Sequence, residues 1–159
     1  MSVLVKATSA PKPRTKESRQ MAILFAALLV LFAVTQLFTF DEFLELVPAF
    51  NVPFGPLFTY TLAPLIVVAE VFALPFLLGM SVSPAFRWLS MFFGWFVAGV
   101  WTFISLWIVT TNQAVETIGF FGTIVNPAPG WWAVFIALAL CILAAWTSWG
   151  LWPGKRAKK

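Results

Sequence analysis

Four stretches of about twenty apolar residues constrain this chain more than anything else in it: Met21–Phe40, Thr61–Met80, Trp88–Val109 and Trp131–Trp152. At 1.5 Å of rise per residue, a helix of ~20 residues crosses a hydrocarbon core ~30 Å thick. Only the second stretch carries a formal charge, at Glu70. A membrane barrel would need strands of about ten residues alternating apolar with polar positions, and no such alternation occurs. Composition agrees, with 61% hydrophobic residues, 10% charged, 18 Phe and 9 Trp. Soluble domains carry roughly 25% charged residues. The expected architecture is therefore all-α, an integral-membrane four-helix bundle formed by one domain over residues 21–152, with the lipid bilayer as its first partner.

Charge fixes the expected topology. Nine of the ten Lys and Arg lie in two tails, residues 1–20 and 153–159. Both tails read as basic and cytoplasmic, the first of them as flexible, because positive residues are retained on the inner side. That gives an N-in/C-in orientation with an even number of crossings. Arg87, in the short connection Ser81–Arg87, agrees. The connections Asp41–Tyr60 and Thr110–Gly130 hold Asp41, Glu42, Glu45 and Glu116 with no Lys or Arg, and face out. Residues 21–40 are too long and too aromatic at their end for a cleaved signal peptide. The same charge pattern speaks against nucleic acid as a partner; a basic tail beside a span sets topology and touches anionic head groups.

The outer connections have structure of their own. Phe43, Leu44, Leu46, Val47 and Phe50 would share one face of a short helix opening on Asp41 and Glu42, which suit the positive end of a helix dipole. Pro48, Pro53 and Pro56 then interrupt the chain. Such a helix is expected to be interfacial, lying on the outer membrane surface; the alternative is that it packs on the mouth of the bundle. The second connection is rich in Gly and Pro. Trp131 and Trp132, with Trp149 and Trp152, mark the two ends of the last span as head-group anchors.

Lipid gives helices no hydrophobic reason to associate, so small residues matter. Ser90, Gly94, Ala98 and Thr102 recur at intervals of four in the third span, and Ala133, Ala137, Cys141 and Ala145 in the fourth. These stripes are expected to be packing partners. With no His and one Cys, the chain has no His/Cys metal site, no internal disulfide and no Ser-His-Asp or Cys-His nucleophile.

Glu70 is the most informative single residue. A charge at the bilayer centre costs from ~3 kcal/mol to far more, and intramembrane acids are functional hypotheses by default. No basic residue lies in any span to pair with it. By depth, Glu70, Thr102 and Cys141 lie ~12–15 Å below the outer face, with Gln36, Thr35 and Ser105 nearer to it. Glu70, Thr102, Gln36 and Cys141 are therefore candidates for a ligand-binding or proton site opening outward. The alternative is a structural carboxyl that hydrogen-bonds another helix. Pro75 is expected to kink the second span and widen a cavity beside Glu70.

The stretch DEFLELVPAFNVPFGPLFTYTLAPLIVVAEVFALPFLLG, with a glutamate in a helix of the form aP-l-xxx-E-xxx-lpfLL, resembles the DoxX/MauE-like family of small bacterial membrane proteins. The likeness spans roughly Met21 to Trp152 and includes the Arg-containing inner connection. It implies a four-helix fold in a bacterial inner membrane and membership of a redox-associated membrane complex. MauE-like members carry a Cys-Gly-Cys-Phe-Gly type motif in the second outer loop; at Ile118–Gly122 the glycines and Phe121 match, while Ile118 and Phe120 stand at the cysteine positions. A dithiol relay needs two sulfurs within reach, so the resemblance implies no active dithiol. Three functions follow as expectations: a non-catalytic or redox-associated accessory subunit with a membrane-protein partner or a second copy; binding or transport of a lipophilic molecule, a quinone or lipid, around Glu70; and, last, acid–base catalysis by Glu70.

Overall fold

The computed structural model describes residues 6–53, 55–111 and 114–154. Its first helix, α1 (Lys16–Phe38), is opened by Thr15, whose hydroxyl accepts the Ser18 N–H at 3.1 Å, with Glu17 in the first turn. A Thr cap followed by an early acid is a helix-start signal. It places the start five residues before Met21, within the segment expected as a flexible tail. After Thr39 comes α2 (Phe40–Ala49), with Asp41 and Glu42 in its first turn. Next is α3 (Pro56–Leu77), with Pro56 at the first helical position, where its missing N–H costs nothing. Ser83 caps α4 (Pro84–Thr111), its hydroxyl accepting the Phe86 N–H at 3.2 Å. Arg87 therefore lies in the first turn of α4 rather than in a loop. The last helix is α5 (Trp131–Gly150).

Four of these helices are long and apolar enough to cross a membrane, and between 39% and 44% of each apolar window is buried inside the protein. The rest, including Leu24, Leu31, Val68, Phe92, Phe135 and Ile142, faces outward as an apolar belt. The chain is an all-helical, multi-pass membrane protein, without a strand among the described residues beyond one isolated bridge between Thr8 and Val82. Neighbours run in the cyclic order α1, α3, α4, α5, and α2 lies across α3 with a lighter contact on α1. Phe43, Val47 and Phe50 are completely buried, and the Trp107 indole of α4 donates to the Phe50 carbonyl at 3.1 Å. Of its two expected placements, α2 takes the mouth of the bundle.

The small-residue stripes meet at Thr102 and Cys141, while other members of the third-span stripe face different helices. Gly94 sits where an added Cβ would lie 3.6 Å from Phe25 of α1 and 3.9 Å from Ala73 of α3. The Ser90 hydroxyl likewise serves α3: it accepts the Phe76 N–H at 3.0 Å and donates to the Phe72 carbonyl at 2.6 Å. Only Thr102 of that stripe bonds α5, through Cys141. On α5, Ala133 and Ala137 are buried but Ala145 is exposed, its place taken by Ala144. The reason is geometric. With 3.6 residues per turn, each four-residue step rotates about 40° around the helix, so three steps turn a stripe away from its partner. Buried α5 positions 133, 137, 140, 144 and 147 instead average the three-and-a-half residue interval of helices packed at a small angle.

The two ends of the bundle differ in charge. At one end the 6–15 segment, the α3–α4 connection and the end of α5 meet: the Arg14 N–H donates to the Gly150 carbonyl at 3.0 Å, and Arg87 donates to the Thr8 carbonyl at 2.8 Å. At the other, Glu42, Glu45 and Glu116 surround one surface depression of α2 and the 114–126 stretch.

Candidate functional site around Glu70

Glu70 lies on α3 facing α1 and α4, with 0% of its surface exposed. Two donors converge on its Oε1: the Gln36 amide of α1 at 3.3 Å and the Trp101 indole N–H of α4 at 3.2 Å. The same Gln36 amide nitrogen donates to the Phe120 carbonyl at 3.1 Å. One carboxyl oxygen thus ties three helices and one loop. In a dry interior a polar group left unpaired costs more than the net gain of a paired one, so such a node acts as a rivet.

The loop over this node is shaped by two glycines. Gly122, at φ +58°, turns so tightly against α1 that a Cβ would meet the Thr39 hydroxyl and lie 2.9 Å from the Thr35 carbonyl. Gly119, at φ +85°, passes beneath Leu46 and Phe43 of α2. Between them Phe120 points inward, 2% exposed, its ring 4.7 Å from Trp101 and 5.5 Å from Phe32 by centroids. Ile118 is fully buried. The Thr39 hydroxyl accepts the Thr123 N–H at 3.0 Å, and the Thr123 hydroxyl bonds Glu42. Residues 117–123 therefore close the bundle like a stopper.

Of the candidate residues, Gln36 and Glu70 are brought together, and Thr102 and Cys141 form a separate pair. Thr102 Oγ1 lies 3.3 Å from Cys141 Sγ and donates back to the Ala98 carbonyl at 2.7 Å. Shared depth did not imply contact, because Thr102 stands about 100° around α4 from Trp101. The Thr35 hydroxyl is taken up by the carbonyls of Leu31 and Phe32 in its own helix. Instead of a track opening outward, Gln36, Glu70 and Ser105 are all completely buried. Pro64 and Pro75, the latter expected to kink the span, both lie inside the one helix α3, and the gap next to Phe76, Gly94 and Ser148 is too small for a water molecule.

Three buried polar atoms in the described residues have no hydrogen-bond partner: Glu70 Oε2, Gln36 Oε1 and Ser105 Oγ. Two belong to the node itself, and Ser105 follows Trp101 by one helical turn. Such orphans are rare in native interiors and mark places where a further donor would be welcome. Among the described residues no group of three or more His, Cys, Asp or Glu side chains could hold a metal.

Trp101 is not among the candidates read from the sequence, and Phe120 enters there only as the residue at a cysteine position of the family motif. For Trp101 the signal existed: with no cation in any span, an indole N–H is one of few strong donors able to reach a buried carboxyl. A fully enclosed carboxyl riveted between helices of a multi-pass membrane protein is the class of site in hand. Compared with protein-family models, with curated proteins and with solved structures, the chain matches none.

Proposed function

We propose that the chain is a non-catalytic accessory subunit of a membrane complex, DoxX/MauE-like in fold, redox-associated through its partner and without dithiol chemistry of its own. The observation that carries this reading is the filled interior. Ile118 and Phe120, at the positions where the family's motif has cysteines, are core residues, and the Glu70 carboxyl is enclosed where no substrate reaches it. The partner is an integral membrane protein or a second copy of this chain, docked on the apolar belt. The basic end faces the cytoplasm of a bacterial inner membrane, by the positive-inside tendency. The test is extraction into native lipid nanodiscs and mass measurement of the intact particle. One stoichiometric partner or a defined homo-oligomer is expected, with Glu70→Gln retaining it; a lone monomer whose cellular phenotype vanishes with Glu70→Gln would overturn the reading in favour of acid–base chemistry.

The three orphaned polar atoms favour a second reading: the node holds a hydroxyl-bearing lipophilic molecule, a reduced quinone or a lipid, once the 117–123 stretch lifts. Solvent extraction of the purified protein should then yield a stoichiometric quinone or lipid that Glu70→Gln loses. Equal amounts from both proteins would dismiss it.

A further inference from the structure

The basic end of the bundle holds an open cavity of about 230 Å³, lined by residues 10–13 with Arg19 and Arg87 beside Phe76, Gly79 and Leu151. Arg87 is only 5% exposed. Its guanidinium donates to the Thr8 carbonyl at 2.8 Å, the Val82 carbonyl at 3.4 Å and the Thr8 hydroxyl at 3.5 Å. Arg19 donates to the carbonyls of Leu77 at 3.3 Å and Leu78 at 3.0 Å, at the end of α3. Gly79, at φ +67°, permits that approach, since a Cβ there would lie 3.0 Å from Arg19 Nη1. All these acceptors are neutral.

A guanidinium has five N–H donors and a full charge, so two carbonyls, with a hydroxyl added at Arg87, neither exhaust nor neutralise it. No ion pair to a carboxylate engages Lys12, Arg19 or Arg87 among the described residues. A largely buried cation without a counter-charge is costly. The depth of the cavity indicates what relieves it. Trp88, Trp149 and Trp152 ring the same end, 40%, 52% and 42% exposed. Trp88 packs on Trp152 at 5.1 Å, and Arg14 stacks over Trp149 at 4.9 Å. Such a belt sits at head-group level, where phosphates lie.

We propose that this cavity binds a phosphate-bearing anion, with Arg87 and Arg19 forking onto its oxygens and Lys12 closing over it. Guanidinium geometry suits phosphate oxygens in pairs, and basic pockets between spans bind acidic head groups. The anion is an acidic phospholipid head group or free phosphate, and the reading is independent of the accessory role.

The experiment uses the full chain in nanodiscs of mixed phosphatidylglycerol and phosphatidylcholine, with native mass spectrometry counting the lipids retained on release. A second arm compares the thermal midpoint of lipid-stripped protein in inorganic phosphate and in chloride at equal ionic strength. Retained phosphatidylglycerol above its bulk share identifies a lipid site, and stabilisation by phosphate alone identifies a free-anion site; either supports the proposal. Because Arg87 also fastens the 6–15 segment, the diagnostic variant is Lys12→Gln, an exposed side chain, which should lower the preference about tenfold through loss of a charged hydrogen bond. Lys6→Gln removes the same charge outside the cavity and should leave it unchanged. No preference in either arm, or equal loss in both variants, would overturn the proposal.

Discussion

The oxygens of Glu70 show how unequal two atoms of one carboxyl can be. Oε1 receives both Gln36 and Trp101 while Oε2 has no partner. Replacement by Gln keeps an acceptor oxygen in place, so Glu70→Gln should change stability by no more than about 1 kcal/mol. Glu70→Leu leaves the Trp101 indole without its acceptor and should cost about 1–3 kcal/mol. Denaturant titration in detergent, followed by Trp fluorescence, distinguishes the two; equal losses would mean that the node carries no stabilising hydrogen bonds. Gly122 is constrained by the backbone of α1 as well as by the Thr39 hydroxyl. Its φ of +58° and the Thr35 carbonyl 2.9 Å from an added Cβ predict a loss of about 2 kcal/mol for Gly122→Ala, the left-handed conformation alone accounting for ~1–2. Increased proteolytic nicking within 114–130 is the accompanying readout.

Among elements, α3 depends on a neighbour for its own ladder. Pro75 supplies no N–H, and one residue later the Ser90 hydroxyl bridges Phe76 N–H and Phe72 C=O, the pair that a continuous α-helix joins directly. A side chain inserted in the ladder is a recognised way of accommodating a bend. Ser90→Ala should cost about 0.6 kcal/mol, the typical worth of a hydrogen bond between membrane helices. The glycines at helix contacts separate by space. Gly94→Ala meets ordinary van der Waals distances and should be neutral or stabilising by up to about 1 kcal/mol through helix propensity. Gly150→Ala would drive its Cβ into Ser18 of α1 and should lower the thermal midpoint, with Ser18→Gly added to it recovering most of the loss. If Gly94→Ala proved the more damaging, the α1–α5 crossing would be drawn wrongly.

At the scale of the whole molecule, more than half of each spanning window faces outward, and the protein should stay dispersed only with detergent or lipid. Both described ends of the chain lie at the basic end, joined by the Arg14–Gly150 bond. Tags at the two termini should therefore respond alike to protease added to intact cells and be protected from it. Digestion of one tag alone would contradict the four-crossing fold, and digestion of both would reverse its orientation.

Number of crossings, the even topology, the opposite charge of the two ends and the presence of α2 could be read from the chain, because run length, charge position and capping residues are properties of consecutive residues. The Thr15 cap is equally local, although it lies in a segment whose composition reads as a tail. What only the tertiary structure decided is rotation: that Gly94 faces α1 and α3, that Trp101 rather than Thr102 meets Glu70, and that Phe120 closes the bundle. Lipid tails are as apolar as Leu, so burying one apolar face rather than another gives a helix no preference of its own. Shape and a few buried hydrogen bonds from distant parts of the chain settle the angle, and those are properties of the assembled bundle.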